Sequence, residues 1–351
     1  MTPAAFAIPG DITQLTGGFI YERKLLEALR ATGLDVTHIE LPPGFPDPTA
    51  QETAIARAQL IAIPPERPVI LDGLVFGSID TEVLDAMAAP VVAMLHHPLG
   101  LETGLPEARA RHLLAREAEN LKRAAHVVVP SPHTSAILQA EFGVAPERIS
   151  IALPGFEQPA PGDSTKAAPP LILSVGLLAA RKGHDVLIDA LAQITDLDWQ
   201  AQIVGSAHDP DVARALAEQI DRLGLGARVR LMGRVEREEL DASYHTATLF
   251  ALATRYEGYG IVFGEAMLHG LPIVSCRTGA VPDTVPKKAG LLVPVDAPEA
   301  FANALRGLLI DSELRVEMAA ASRAAGARLP GWSTAAKIMG ATLDRVNSAL
   351  D

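Results

Sequence analysis

Short apolar runs alternate with longer helical patterns along most of the chain, and this alternation constrains the fold more than any other feature. Strands that are apolar at nearly every position and separated by helices are typical of parallel sheets covered on both faces. The sequence therefore predicts an α/β fold built from doubly wound sheets. The strand candidates are "AAFAI", "DVTHIEL", "PVILDG", "PVVAMLH", "AHVVVPS", "RISIAL", "LILSVGLL", "WQAQIVGS", "RVRLMG", "ATLFALAT", "LPIVSC" and "GLLVPV".

One stretch rich in Pro, Gly and small polar residues, "PGFEQPAPGDSTKAAPP" at 154–170, interrupts the alternation and reads as a linker. The 351 residues are also too many for one ordinary core. We therefore expect an N-terminal domain over 1–155 and a C-terminal domain over 156–332, facing each other across a cleft. The pattern over 333–351 predicts one more helix. Periodicity leaves two arrangements open, in which this helix stays on the C-terminal domain or crosses back to join the N-terminal domain.

Composition excludes several classes of protein. A net charge of −12 argues against nucleic acid as the main partner, because phosphate binding needs a basic surface. The single cysteine, Cys276, rules out an intrachain disulfide and a cysteine-based zinc site. The opening "MTPAAFAIPGD" lacks the features of a signal peptide, and no apolar run approaches the roughly 20 residues of a membrane helix. These features predict a cytoplasmic protein.

The segment "RYEGYGIVFGEAMLHGLPIVS", residues 255–275, carries two acids, Glu257 and Glu265, in an otherwise apolar strand–loop–helix pattern. Glycines between them let the backbone approach a ligand closely, and a helix start favours phosphate. A carboxylate suits the hydroxyl groups of a sugar or a ribose. Each acid alone would fit a helix-end or solvated residue, but the joint pattern favours an elongated ligand with phosphates between the two acids.

The same segment resembles the E-x7-E signature of retaining GT-B glycosyltransferases of the family-4 type, the glycosyl transferases group 1. Further segments resemble that family in the same order in both halves of the chain. They include "LTGGFIYERKLLEALRATG", "LHHPLGLETGL", "VPSPHTSAILQAEFGV", "GLLAARKGHDVLIDAL", "TGAVPDTV" and "AGLLVPVDAPEAFANAL". The resemblance implies two tandem Rossmann-like domains, an N-terminal domain for the acceptor and a C-terminal domain for the nucleotide-sugar donor.

The resemblance also implies roles for individual residues of the second domain. Glu257 would hold hydroxyl groups of the donor sugar, and Glu265 would bind the ribose. Arg234, in "LMGRV", is a further candidate for donor binding. Backbone amides of the glycine-rich turn would meet the sugar and the pyrophosphate, namely those of Gly258, Tyr259, Gly260 and Ile261.

A basic pair, Arg181 and Lys182, matches the residues aimed at the departing phosphates, where positive charge stabilises the leaving group. Relatives often have an arginine directly after the preceding glycine, and this chain has Leu177. Arg181 is the candidate that supplies this charge instead. A solvated basic pair at a helix start would run against the helix dipole.

The first domain contributes Gly17 and Gly18, which resemble a loop that touches donor phosphate and acceptor, although a plain turn would also use them. His96, at the end of the "PVVAML" strand, aligns with a histidine that faces the sugar. The adjacent His97 leaves open which of the two points inward. Ser131 and Thr134 lie near the acceptor side, where capping of a helix is the favoured role.

The resemblance implies a hexosyltransferase-type enzyme that transfers a sugar, with retention, from a UDP- or GDP-sugar to a carbohydrate or lipid-linked acceptor. It implies no metal and no cofactor. A nucleotide-sugar epimerase of the same fold and a non-catalytic nucleotide-sugar-binding subunit are the alternatives. The helical run 107–123 is rich in basic residues, which predicts a solvated face. Weak peripheral contact with the inner face of the membrane is the alternative interpretation of this run.

Overall fold

The computed structural model describes residues 3–102, 104–159, 165–207 and 209–348. The chain forms two compact units, which are Met1–Gly155 with Pro330–Asp351 and Phe156–Leu329. Part of the predicted linker, 160–164, lies outside the described residues, as do the last three residues of the predicted C-terminal helix, 349–351.

The first unit contains a sheet of six parallel strands in the order β2-β1-β3-β4-β5-β6. The direction of strand succession reverses between β1 and β3, and such switch points are where doubly wound sheets bind ligands. All four residues of β3 and of β4 are buried. The strands are β1 (Ala4–Pro9), β2 (Val36–Leu41), β3 (Val69–Asp72), β4 (Val91–Met94), β5 (His126–Val129) and β6 (Ile149–Ile151).

Helices cover both faces of this sheet. Apolar side chains of α1 form one core together with those of α14, the last helix of the chain, and a second core lies on the opposite face. The C-terminal helix therefore belongs to the first unit. The helices of this unit are α1 (Gly17–Ala31), α2 (Ala50–Ile61), α3 (Gly73–Phe76), α4 (Thr81–Asp85), α5 (Glu107–Leu121), α6 (Pro132–Phe142) and α14 (Trp332–Ser348).

The second unit contains a second six-stranded parallel sheet, in the order β12-β11-β10-β7-β8-β9. Counted from its own first strand, this is the 3-2-1-4-5-6 order of a dinucleotide-binding fold, with the switch point between β7 and β10. The strands are β7 (Leu171–Val175), β8 (Gln200–Val204), β9 (Val229–Gly233), β10 (Leu249–Leu252), β11 (Ile273–Cys276) and β12 (Gly290–Val293).

Helices cover this sheet on both faces as well, over two separate apolar cores. A 3₁₀ turn, Ala180–Lys182, follows β7 and leads into the next helix. The helices are α7 (His184–Ala192), α8 (Pro210–Arg222), α9 (Arg237–Thr246), α10 (Ile261–Leu268), α11 (Val281–Thr284), α12 (Pro298–Ile310) and α13 (Ser312–Gly326).

The predicted fold class, α/β with doubly wound parallel sheets, is confirmed. Each apolar run predicted as a strand coincides with one of the twelve strands, and β1 extends one residue beyond its run, to Pro9. None of the described helices has the length and apolarity that are needed to cross a membrane.

Candidate functional site

Glu257 and Lys182 meet at the switch point of the second sheet. Lys182 ends the 3₁₀ turn after β7, and Glu257 lies in the loop between β10 and α10. The Lys182 Nζ lies 2.6 Å from Glu257 Oε1, and Arg181 Nη1 lies 3.8 Å from Glu257 Oε2. The structure therefore brings these three predicted residues together, from segments about 75 positions apart.

The Glu257 carboxylate is buried, with 5% of the residue exposed. Burial alone would raise its pKa, but the positive charges of Lys182 and Arg181 outweigh burial and hold the pKa below its usual value. The hydroxyl of Thr254 also donates a hydrogen bond of 3.0 Å to Oε1. Glu257 is thus an ionised carboxylate beside two cations.

The loop that carries Arg181 and Lys182 is fixed by backbone and side-chain contacts. Gly183 follows it at φ +61°, and a Cβ there would lie 2.0 Å from the carbonyl oxygen of Ala253. The Arg255 N–H donates to the Arg181 carbonyl (2.8 Å), and its guanidinium pairs with Asp185 at 2.7 Å. These contacts hold the basic pair against the loop after β10.

The glycine-rich turn ends where α10 begins. Gly260 caps this helix at φ +84°, and a Cβ there would lie 2.5 Å from the ring of Phe263. Any other residue would therefore strain the turn. Tyr259 is buried and Gly258 and Ile261 are half-buried. The Phe263 N–H donates to the Gly260 carbonyl at 3.0 Å. The N–H groups that precede it lie at a helix start, which is the position that anions use.

Glu265 lies inside α10 and contacts α9. Its Oε1 is 2.7 Å from Arg237 Nη1, and its Oε2 accepts a hydrogen bond of 3.0 Å from the buried hydroxyl of Tyr244. Burial and the charge of Glu265 raise the pKa of Tyr244 far above its usual value. The predicted Arg234 lies after β9 and is exposed, whereas Arg237 is the arginine that contacts this acid.

Three other predicted residues lie together in the first unit. Gly17 and Gly18 form the first turn of α1, and His96 follows β4. A Cβ on Gly18 would lie 3.3 Å from His96 Cδ2. His96 Nε2 lies 3.6 Å from the buried carboxyl of Glu22, whereas the neighbouring His97 bonds Glu102 at 2.6 Å.

Ser131 confirms the predicted capping role, because its hydroxyl oxygen accepts the N–H of Thr134 at the start of α6. The Thr134 hydroxyl in turn donates to the backbone carbonyl of His96 at 3.1 Å. Within the described part of the chain, no group of three His, Cys, Asp or Glu side chains is arranged to hold a metal ion.

Comparison with known proteins bears directly on the second unit. Residues 161–325 match the family described as glycosyl transferases group 1. The second unit belongs to this family. We call the second unit, Phe156–Leu329, the group 1 domain. Both acids and the basic pair lie within its matched segment.

Curated relatives match parts of the chain of similar or greater length. D-inositol 3-phosphate glycosyltransferase of Xylanimonas cellulosilytica is 32% identical over 215 residues, which cover 56% of this chain and 51% of that protein. GDP-mannose-dependent alpha-(1-6)-phosphatidylinositol monomannoside mannosyltransferase of Mycobacterium tuberculosis is 35% identical over 164 residues, or 44% and 42% of the two chains. The chain thus spans about half the length of the curated relatives it matches.

Solved structures share the whole GT-B fold, including both the group 1 domain and the first unit. Sucrose-phosphate synthase from Thermosynechococcus elongatus aligns with a TM-score of 0.79 at 22% identity, covering 99% of this chain and all of that one. Anabaena HepE, in complex with UDP-glucose, aligns with a TM-score of 0.75 at 19% identity, covering 97% and 99%.

Sequence reasoning missed several residues that contact the predicted site. In the group 1 domain these are Thr254, Arg255, Arg237 and Tyr244, and in the first unit they are Glu22 and Asp72. Glu22 alone had a usable signal, because it is an acid at an apolar-periodic position of α1.

Proposed function

We propose that this chain is a retaining glycosyltransferase that moves a sugar from a UDP- or GDP-sugar to a carbohydrate or lipid-linked acceptor. The group 1 domain binds the donor, and the first unit binds the acceptor. The observation that carries this proposal is the ionised Glu257 beside Lys182 and Arg181 at the switch point of the second sheet.

The basic pair acts on the leaving group. When the bond between the sugar and the diphosphate breaks, negative charge grows on the departing phosphate. Lys182 and Arg181 stabilise that charge from fixed positions, with the amides at the start of α10. The loop contacts of Gly183 and Arg255 hold the cations in place before the reaction, so little reorganisation is needed.

The two acids orient the donor. Glu257 accepts hydrogen bonds from hydroxyl groups of the sugar, and its contact with Lys182 places the sugar beside the phosphates. Glu265 binds the ribose, with Arg237 and Tyr244 fixing the carboxylate from α9. Gly258, Tyr259, Gly260 and Ile261 present backbone amides between the two acids, and Arg234 approaches the nucleotide.

His96 and the Gly17–Gly18 turn act from the first unit, on the reacting sugar and the acceptor. Transfer needs no metal ion in this mechanism, because the cations of the chain supply the positive charge. Activity that persists in EDTA and is not increased by added magnesium would meet this expectation.

The curated relatives named above are glycosyltransferases, which favours transfer over the epimerase and the non-catalytic subunit. Their names include inositol phosphate and phosphatidylinositol acceptors. We propose a polyol or glycolipid acceptor of this kind.

The basic run 107–123 bears on peripheral membrane contact. Its five basic side chains all pair with carboxylates, which favours a solvated face. The pairs are Arg109–Asp47, Arg111–Glu107, Arg116–Asp80, Lys122–Glu119 and Arg123–Asp85. Flotation with phosphatidylglycerol vesicles separates the two readings.

The first test is a thermal-shift panel with UDP, GDP, ADP and their common sugar forms. A nucleotide at 100 times its dissociation constant stabilises the protein by roughly 2.7 kcal/mol, a resolvable shift. A selective shift is expected with one nucleotide, reduced in Lys182→Ala and kept in the control Lys337→Ala on α14. If every nucleotide leaves the melting temperature unchanged, the donor site is wrong.

A further inference from the structure

A buried carboxyl pair lies beneath His96 in the first unit. Glu22 on α1 and Asp72 at the end of β3 are both at least 96% buried. They lie where the strand order of the first sheet reverses, because α1 follows β1, and β1 and β3 are neighbours there. Their position is thus the ligand-binding switch point of the first unit.

Glu22 has an unusual environment for a buried acid. Among the described residues, no N–H or hydroxyl group donates a hydrogen bond to either of its oxygens. Its polar neighbours are the Asp72 carboxyl and His96 Nε2, at 3.6 Å from Glu22 Oε1. Two carboxylates repel each other, so a hydrogen bond between them requires a proton on one.

Electrostatics favours this protonation. Burial raises the pKa of Glu22 to about 7, and burial with the charge of Glu22 raises the pKa of Asp72 well above its usual value. Asp72 Oδ1 also accepts the N–H groups of Leu74 and Val75 at the start of α3. A proton shared between the two carboxyl groups, which leaves the pair with one negative charge, relieves their repulsion.

His96 is confined above this pair. Its ring packs edge-to-face on Tyr21, with centroids 5.2 Å apart, and its edge lies against Gly18. Burial lowers the pKa of His96, and the charge of Asp72 opposes that shift only in part. A neutral imidazole therefore turns Nε2 toward a negatively charged carboxyl pair, and Nδ1 is the remaining nitrogen.

We propose that Glu22 and Asp72 are positioning residues that fix the ring and the tautomer of His96, so that Nε2 carries the hydrogen and Nδ1 accepts a hydrogen bond from a sugar hydroxyl. Only the identity of the ligand, a sugar hydroxyl, rests on the proposed function; the effect of the two acids on His96 does not depend on it. The 3.6 Å contact is longer than a hydrogen bond, and contacts of this kind commonly tighten when a ligand binds.

The cost of the arrangement supports a functional role. An apolar residue of similar size at position 22 would extend the core formed by Phe19, Leu25 and Leu26 without desolvating an acid. Buried titratable groups with strongly shifted pKa values cluster at functional sites. Glu22 and Asp72 fit that pattern beside a predicted site histidine.

The deciding experiment measures the His96 tautomer by ¹⁵N NMR of the ligand-free chain. The Nε2–H tautomer of His96 is expected to dominate in the native chain, and Glu22→Met is expected to show a mixture of both tautomers. Glu22→Gln is expected to show a fraction of the Nε2–H tautomer between these two. Glu27→Gln, an exposed acid on the same helix, is the control and leaves the spectrum unchanged. A native Nδ1–H tautomer, or no change in either Glu22 variant, overturns the proposal.

A second experiment uses transfer activity. Glu22→Met is expected to lower kcat about 10- to 100-fold with little change in donor KM. The double variant Glu22→Met with His96→Ala should be no slower than His96→Ala alone, because Glu22 acts through His96. If the loss of kcat in the double variant equals the product of the losses in the two single variants, the inference is overturned. If no donor supports transfer at all, the proposed function fails, whereas the tautomer measurement still decides the role of the pair.

Discussion

Lys182 Nζ and Glu257 Oε1 lie 2.6 Å apart in a contact that joins the loops after β7 and β10. Both side chains are mostly buried, so each partner depends on the other to offset desolvation. In the proposed reaction the same lysine must also face a diphosphate. The carboxylate and the phosphate therefore compete for one cation.

This competition predicts opposite effects of Glu257→Gln on two measurements. Sugar transfer should fall about 100-fold or more, because the sugar loses a charged acceptor for its hydroxyl groups. Affinity for the free nucleoside diphosphate should rise, since Lys182 no longer has an anionic partner. Calorimetric titration and initial rates measure the two effects. Weaker binding of the diphosphate would show that Glu257 does not compete for Lys182.

The Tyr244 hydroxyl offers a test of the second acid. Tyr244→Phe removes the hydrogen bond to Glu265 Oε2, worth about 1 kcal/mol, so the donor KM should rise about fivefold with kcat nearly unchanged. Ser243→Ala is the matched control, because this neighbouring hydroxyl bonds Gln202 and the Glu239 carbonyl instead. Equal effects of both substitutions would point to a general loosening of α9.

Gly260 and Gly307 form a matched pair within the group 1 domain. Gly260→Ala introduces a Cβ at φ +84° and 2.5 Å from Phe263, so it should destabilise the domain by about 1–3 kcal/mol and abolish the nucleotide shift. Gly307→Ala lies in α12 with nothing within 4 Å and should stabilise it by about 1 kcal/mol. Denaturant unfolding checks both values, and a neutral Gly260→Ala would contradict the turn geometry.

Glu117 predicts a pH dependence of stability. Burial raises its pKa to about 8, and its Oε2 accepts the N–H of Leu99. Below the pKa that Glu117 has in the unfolded chain, the folded and the unfolded protein both bind the proton. Above that pKa, the folded protein keeps a proton that the unfolded protein has released. Stability should therefore fall by up to about 1.4 kcal/mol per pH unit until the pH passes about 8.

The clearest window is pH 6.5–8, because the buried His126, with its pKa lowered to about 4, acts in the opposite direction only at lower pH. Glu22 contributes in the same direction as Glu117 up to about pH 7. Glu117→Gln should flatten the unfolding free energy across this window, and Glu141→Gln, at an exposed site on α6, should not. Parallel curves for the native chain and Glu117→Gln would exclude a protonated Glu117.

Local pattern was sufficient for the strands and the longer helices. The strands Val69–Asp72 and Leu249–Leu252 are buried at every position, and such strands belong to sheets covered on both sides. Strand order was beyond reach, because it depends on packing between distant segments. The placement of α14 on the first unit was unpredictable for the same reason, because the apolar stripe of this helix could pack on many surfaces.

The site was predictable where one segment carries it and not where several meet. Glu257 and the glycine turn lie in one stretch of sequence, so their spacing made them candidates. Arg237 contacts Glu265 from a different helix, and no spacing rule joins residues 28 positions apart. The Glu22–Asp72 pair is similar, since only the parallel pairing of β1 and β3 brings the two acids together.

The position of α14 at the end of the chain affects the order in which the two units can fold during synthesis. A ribosome completes α1 early, yet the apolar surface that this helix shares with Met339 and Leu343 stays uncovered until the whole group 1 domain has been synthesised. The group 1 domain, by contrast, is continuous in sequence and can fold as soon as it emerges. During synthesis the first unit therefore exposes apolar surface for longer than the group 1 domain does.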